Sequence, residues 1–285
     1  MNGVMASVNT MLALSLLAMR DGRAEAIARE WTYHANPPPG MTRAELNFKD
    51  VSTNSIFTGV LVLSPGMNGN GSQLLADNNW TEFARRHNFL MVGLSFASSL
   101  EDLKNGKGYY YADKGSGRVL LNGLSDAKVV RLPMFMYGFS GGAHFTSRFV
   151  LWNPEKIGAW CACSAAWWKL PLHVKGLPPG IVACGERDFR IDPSREFFEC
   201  GRNVGAEWLW IGLHNVVHSS PAVLENFFRR YVTSILRTGK ASCSVWINIY
   251  TGQEENDEFV KRFPCAVGWL PDRILLDAWL KLRGL

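Results

Sequence analysis

Short apolar runs alternate with amphipathic stretches along the chain. Phe57–Leu63 (FTGVLVL), Phe89–Phe96 (FLMVGLSF), Met134–Tyr137, Ala159–Ser164, Ile181–Cys184 and Trp208–Leu213 are nearly continuous in apolar residues. They lack the period-two alternation of a half-exposed strand, so they predict strands covered on both faces. Between them lie helical stretches. Trp80–Arg86 has Trp80 and Phe83 on one face, and Val119–Ala127, Phe145–Trp152 and Pro221–Leu236 follow. Strands that alternate with helices imply an α/β fold with a mostly parallel sheet. Residues 29–50 predict an antiparallel edge turning at Pro37-Pro38-Pro39-Gly40. Gly106–Gly117 (GKGYYYADKGSG) reads as a loop too polar for the core. No repeat or low-complexity linker interrupts this pattern. It predicts one domain over residues 27–285, with a core at about 55–237 and a C-terminal extension at about 243–285 holding a strand and a helix.

Composition narrows the class. Hydrophobic residues make up 47% of the 285 and charged residues 19%, which excludes a disordered or collagen-like chain. The net charge of +5 is spread thinly, and the eleven Trp do not interleave with Lys and Arg. No nucleic-acid partner is expected. No apolar stretch reaches the ~18–20 residues of a membrane span. Met11–Met19 (MLALSLLAM) followed by Ala24-Glu25-Ala26 gives residues 1–26 the core and cleavage site of a secretory signal. Residues 1–10 carry no Lys or Arg, so an ordinary N-terminal helix is the alternative. A signal would make the protein secreted or periplasmic; without one it would be cytoplasmic.

The cysteines and histidines offer no metal motif. Cys161, Cys163 and Cys184 sit in strand-like runs and read as small buried hydrophobes. Cys200, Cys243 and Cys265 lie in more polar surroundings, and an exported chain would allow a Cys243–Cys265 bridge. His214 and His218 have H-x-x-x-H spacing but lack the Glu after the first His, and they read as strand end and loop. Neither a metal nor a cofactor is expected.

One motif carries chemistry. Gly138-Phe139-Ser140-Gly141-Gly142 contains G-x-S-x-G between a predicted strand and a predicted helix. That is the context of a nucleophile elbow. Such a turn needs glycine where backbones pass closely, and it sets Ser140 at the N-terminus of a helix, where partial positive charge favours an oxyanion. A serine nucleophile needs a base, and the base needs an orienting carboxylate. In the order Ser, acid, His, the acid falls in Gly185-Glu186-Arg187-Asp188 after Ile181–Cys184. Asp188 is the candidate, with Glu186 and Asp192 as alternatives. Four histidines follow Ser140: His144, His173, His214 and His218. His218 lies in the loop before a helix that Ser220 would cap with Pro221 at its first position, and it is the candidate base. His214 is the alternative at the strand end, and His144, one turn after Ser140, reads as structural. A second oxyanion donor is expected from Pro65-Gly66-Met67-Asn68-Gly69-Asn70-Gly71, giving the Met67 and Gly141 N–H groups as the pair.

The four segments PGMNG, GFSGG, GERD and HNVVHSSP occur in the order found in the α/β-hydrolase family, and residues 55–237 resemble it. The resemblance is to the polyhydroxyalkanoate-depolymerase and feruloyl-esterase-like branch and, more distantly, to bacterial cutinase-like polyester hydrolases. It implies a doubly covered, mostly parallel sheet, a triad of Ser140, Asp188 and His218, and an oxyanion hole at Met67 and Gly141. The elbow departs from the branch, with Gly where the depolymerases carry Ala and the cutinases Met. Trp167 and Trp168 after Ala159–Ser164, and Tyr110 within Tyr109–Tyr111, are candidate substrate contacts at the C-terminal edge of the sheet. A flat apolar rim favours neutral esters with short-to-medium or aromatic acyl groups, including polyester. A serine peptidase or amidase is the second reading, but no Glu pair or Arg fork is apparent to hold a peptide amine or an anion. A non-catalytic binding protein on the same fold is the third.

Overall fold

Six apolar runs become the parallel part of one eight-stranded sheet in a computed structural model that describes residues 28–52, 56–172, 176–238 and 244–285. The strands are β1 (Arg29–His34), β2 (Arg43–Asp50), β3 (Gly59–Ser64), β4 (Phe89–Ala97), β5 (Met134–Phe139), β6 (Ile157–Cys163), β7 (Gly180–Gly185) and β8 (Trp208–Leu213). Their spatial order is β1-β2-β4-β3-β5-β6-β7-β8. β1 and β2 are antiparallel, as the Pro-rich turn predicts, and β3 to β8 pair in parallel. Every residue of β3, β7 and β8 is buried, which is why these segments read as unbroken apolar runs.

Helices α1 (Gly71–Leu75), α2 (Asn78–His87), α3 (Leu100–Lys104), α4 (Ser116–Asp126), α5 (Gly141–Trp152), α6 (Ile191–Asn203) and α7 (Ala222–Thr238) flank the sheet. Local chemistry sets their ends. Asp77 accepts from the Asn79 and Trp80 N–H groups at the start of α2, Asn88 closes it in the left-handed conformation, and Arg85, Arg86 and His87 meet its negative end.

The chain order creates a crevice. After β3 the chain moves to β4 on one side, then returns to β5 on the other. Register pairs Ser64 with Gly138 and Phe139 with Cys163, so the C-terminal ends of β3, β5 and β6 lie level. Ligands of open α/β sheets bind at such a switch point.

One helix was missed, and two expectations need correction. No element was expected at α6, whose Pro193 is tolerated because it falls in the first helical turn. Gly106–Gly117 is not a purely polar loop, since Tyr109, Tyr110, Ala112, Ser116 and Gly117 are buried and α4 begins inside it. Side chains hold the backbone of Tyr109: Ser98 Oγ accepts from its N–H at 3.0 Å, and Ser116 Oγ donates to its carbonyl at 2.9 Å. The C-terminal segment is more than one strand and one helix. It forms a three-stranded antiparallel sheet of β9 (Val245–Asn248), β10 (Glu254–Glu255) and β11 (Val267–Leu270), with α8 (Asp257–Arg262) and α9 (Leu276–Arg283). Residues 1–26, His173 and Cys243, and with Cys243 the expected bridge to Cys265, lie outside the described residues. Among the described residues no helix is long and apolar enough to cross a membrane.

Candidate active site

Ser140 stands between β5 and α5 with φ 52° and ψ −112°. A side-chain-bearing residue in that region costs about 1–3 kcal/mol, and the surroundings must enforce it. They do so by close packing. A Cβ on Gly138 would lie 2.5 Å from Gly142 O, and one on Gly142 would lie 2.1 Å from Ser64 O. The Ser140 N–H donates to Cys163 O at 2.8 Å, tying the turn to the end of β6. The serine hydroxyl does not cap the helix it precedes. It faces His218 Nε2 instead, at 2.9 Å.

His218 reaches it from the loop between β8 and α7. Its Nδ1 lies 2.7 Å from Asp188 Oδ2. With Nδ1–H donating to the carboxylate, Nε2 is left to accept from the serine. Asp188 follows β7 in a turn closed by its own N–H to Gly185 O at 3.0 Å, and its side chain is fully buried. Burial would raise the carboxyl, but hydrogen bonds from His218 and Arg190 outweigh it and hold Asp188 below the ordinary carboxylate range. The Phe139 ring tilts against the His218 imidazole at 4.9 Å.

The loop after β3 meets the elbow from the other side. A Cβ on Gly141 would lie 2.7 Å from Met67 N, so the two backbones adjoin. Among the described residues neither the Met67 nor the Gly141 N–H has an acceptor. Asn68 holds this loop in the left-handed conformation (φ 58°), and its amide pairs with both Ser98 N–H and Ser98 O at 3.1 Å. Arg43 clasps the carbonyls of Asn68 and Gly69 at 2.8 and 2.7 Å. The Asn68 N–H reaches the Tyr109 hydroxyl at 3.3 Å. An oriented hydroxyl, an imidazole, a buried carboxylate and two free amides together can transfer an acyl group.

No protein-family model and no curated protein matches the sequence. Solved structures do. FphF, a fluorophosphonate-binding serine hydrolase of Staphylococcus aureus, superposes with a TM-score of 0.51 at 14% identity, over 74% of this chain and 98% of its own. LpqC, a poly(3-hydroxybutyrate) depolymerase from Bordetella parapertussis, gives 0.52 at 16% identity, over 83% and 94%. A hyperthermophilic esterase from Pyrobaculum calidifontis gives 0.55 at 12%, over 74% and 86%. The fold is that of the α/β-hydrolases.

Within this α/β-hydrolase fold the alternative acid and base go elsewhere. Glu186 Oε2 meets His214 Nδ1 at 3.0 Å on the exposed end of β8, and Asp192 sits in the first turn of α6. The two histidines with H-x-x-x-H spacing thus serve different partners. Ser220 was expected to cap the last long helix; its hydroxyl instead meets Tyr137 Oη at 2.6 Å and Glu225 Oε1 at 3.2 Å. His144 is buried under the loop after β6. Burial first, and the neighbouring Arg148 second, push it down to about 3, so it is neutral. Its Nδ1 faces Trp167 O and its Nε2 accepts from Ala166 N–H, both at 3.3 Å, and Arg148 also donates to Trp167 O.

The three candidate substrate contacts separate. Trp167 is exposed, with its ring 5.5 Å from His144 and 6.2 Å from Tyr110. Tyr110 is buried and stacks on His144 at 4.3 Å, so it supports this rim from beneath. Trp168 turns the other way and stacks on Phe197 of α6 at 4.3 Å. Successive residues of an extended loop point to opposite sides, so one tryptophan surfaces and the next packs inward. Phe189 and Val217, next in sequence to the acid and the histidine, are also exposed, as is Met67. Sequence reasoning missed Arg190. Its Nη1 and backbone N–H donate to Asp188 Oδ1 at 2.9 and 3.1 Å. The only signal was a cation two residues after the candidate acid.

Proposed function

We propose that this protein is a serine hydrolase of carboxylic esters that works through an acyl-enzyme. The observation that carries the reading is the unbroken hydrogen-bonded row Ser140–His218–Asp188, with the serine on a strained turn beside two unpaired amides. Ser140 Oγ attacks the ester carbonyl as His218 Nε2 takes its proton. The carbonyl oxygen becomes an oxyanion facing the Met67 and Gly141 N–H groups. One such donor is worth about 10²–10³ in rate. Asp188 keeps the imidazole in the required tautomer and stabilises it once charged. His218 then returns the proton to the leaving alkoxide as the C–O bond breaks. Water repeats the sequence on the acyl-enzyme, releasing the acid and restoring Ser140.

The substrate is a neutral ester with an apolar acyl part. Support comes from the exposed side chains of Met67, Trp167, Phe189 and Val217 on the loops that carry the site. It also comes from the similar structures, which include a polyester depolymerase and esterases. Export directed by residues 1–26 belongs to the same reading; the N-terminal sequence of protein recovered outside the cell tests it. The function is tested by p-nitrophenyl esters of graded length and an aminoacyl anilide, with fluorophosphonate labelling of Ser140. Hydrolysis of the esters, its loss in Ser140→Ala and absence of label in that variant are expected. Anilides cleaved as fast as esters would support an amidase instead, and full turnover by Ser140→Ala would reject the mechanism.

A further inference from the structure

Both oxygens of the Asp188 carboxylate are assigned. Oδ2 faces His218 Nδ1 at 2.7 Å, and Oδ1 accepts from the Arg190 N–H at 3.1 Å and from Arg190 Nη1 at 2.9 Å. The carboxylate side chain has no exposed surface, whereas the Arg190 side chain keeps 21% of its own. The guanidinium is itself held, with its carbon 4.0 Å from the centre of the Phe189 ring. The other titratable groups facing Asp188 come from the neighbouring strands. Among the described residues they are the thiols of Cys163 on β6 and Cys184 on β7, both kept neutral by burial. On its far side Arg190 faces Tyr110 and His144, which are also neutral.

We propose that Arg190 is a positioning residue for the triad. It holds the buried Asp188 carboxylate in one orientation and as an anion, so that His218 stays aligned on Ser140 when the medium turns mildly acidic. The inference rests on the ester-hydrolase reading and deepens it. A buried carboxylate with one oxygen unpaired could rotate and offer its histidine a poorer acceptor. Two donors from one residue on the same oxygen remove that freedom, and a charge-assisted bond is stronger than a neutral one.

The pH consequence has a definite sign. Burial alone drives Asp188 toward the protonated acid; the bonds from His218 and Arg190 reverse that. Without the guanidinium, the carboxyl takes up a proton at higher pH as the medium is acidified. A protonated Asp188 no longer accepts from His218 Nδ1 as a carboxylate, so the acid limb of kcat/KM follows the Asp188 carboxyl. That limb therefore moves to higher pH.

The test uses the full chain and two variants, Arg190→Met and Arg190→Lys, with a p-nitrophenyl ester followed from pH 4.5 to pH 9. For Arg190→Met, kcat at pH 8 is expected to fall on the order of tenfold, a part of the ~10²–10⁴ a positioned base supplies. KM should barely change. The acid limb should rise by roughly one pH unit, the low end of what an opposite charge in contact does to a carboxylate. Arg190→Lys keeps the charge and the backbone N–H but loses the planar guanidinium whose Nη1 reaches Oδ1, so its limb should stay near the wild-type position while kcat falls. A folded Arg190→Met with wild-type kcat and limb overturns the proposal. So does one whose kcat falls with the limb unmoved, which is the mark of a merely structural role. If Arg190→Met does not fold, the lysine variant decides: a limb displaced as charge is retained also overturns it. Failure of the ester-hydrolase reading is seen separately, as wild-type protein that neither hydrolyses esters nor takes the fluorophosphonate label.

Discussion

His218 and His214 are four positions apart in one loop, and the structure gives them opposite surroundings. The His218 ring lies between Ser140 Oγ and the buried Asp188, whereas His214 lies against the exposed Glu186 and Asn215. His218→Ala should therefore lower kcat by about 10²–10⁴, the range of a positioned general base, while His214→Ala leaves it within a few-fold. Steady-state ester hydrolysis by both variants checks the ranking, and the reverse order would exchange their roles. A third histidine makes a different prediction. His144 is buried and neutral, with its proton affinity pushed from 6.5 down to about 3 by burial and Arg148. The unfolded chain binds a proton there at a pH where the folded chain does not, so stability is lost as pH falls from 6.5 toward 3. The melting temperature should drop across that window in the wild type and drop less in His144→Gln. Equal slopes would mean that other groups control the loss. The order serine, acid, histidine was legible because the fold fixes that order, and the G-x-S-x-G turn marked the first member. Arg190 was not legible, because its role depends on a side chain folding back on the acid two residues earlier. Tyr110 and Trp168 were misread because a run of aromatics does not encode which ring faces outward.

At the scale of elements, the strands of the parallel sheet could be read from their apolar runs to within two residues or so, since burial on both faces leaves no polar positions to blur them. Helices with a clear apolar face were found too, but α4 and α5 begin three and four residues before the first apolar position that marked them. α6 was obscured by Pro193, and the buried Tyr109–Tyr110 segment by the glycines and charges around it. Both depend on tertiary contacts that local pattern does not carry. The junction of β3, β5 and α5 shows how tight those contacts are. A methyl group on Gly142 would sit 2.1 Å from Ser64 O and 2.6 Å from Pro65 O, both backbone atoms that cannot swing aside. Gly142→Ala should push α5 away from β3, lowering the melting temperature and displacing Ser140 from the free amides, so that activity falls even in the folded fraction. Gly205→Ala offers a control for stability: a Cβ there meets nothing within 4 Å, and only its φ of 84° opposes the change. Thermal melts of the two variants should rank Gly142→Ala as the more damaging.

Across the whole molecule, the C-terminal sheet answers a problem set by the first. β8 ends the eight-stranded sheet, and an uncovered edge strand with apolar faces invites pairing with other chains. The C-terminal segment packs there: Trp279 of α9 is fully buried and its indole N–H donates to Trp210 O of β8 at 2.9 Å. Gly268 of β11 brings its backbone against Leu209, where an added Cβ would meet the side chain at 3.0 Å. His214 N–H donates to Leu282 O at 3.0 Å, fastening α9 to the start of the loop that carries His218. The extension thus bears on the site without contributing a group to it. Trp279→Ala removes a large buried side chain and leaves Trp210 O without its donor. Such truncations cost about 3–5 kcal/mol, a large share of the ~5–15 kcal/mol that holds a typical domain together. The variant should unfold at markedly lower denaturant and aggregate more readily through the loosened edge. At low temperature, where it is still folded, kcat should fall only modestly, because Ser140, His218 and Asp188 keep their own contacts. Denaturant titration with light scattering, alongside ester hydrolysis at 10 °C, separates the two effects. An unchanged midpoint would mean that the eight-stranded sheet does not depend on its C-terminal cover.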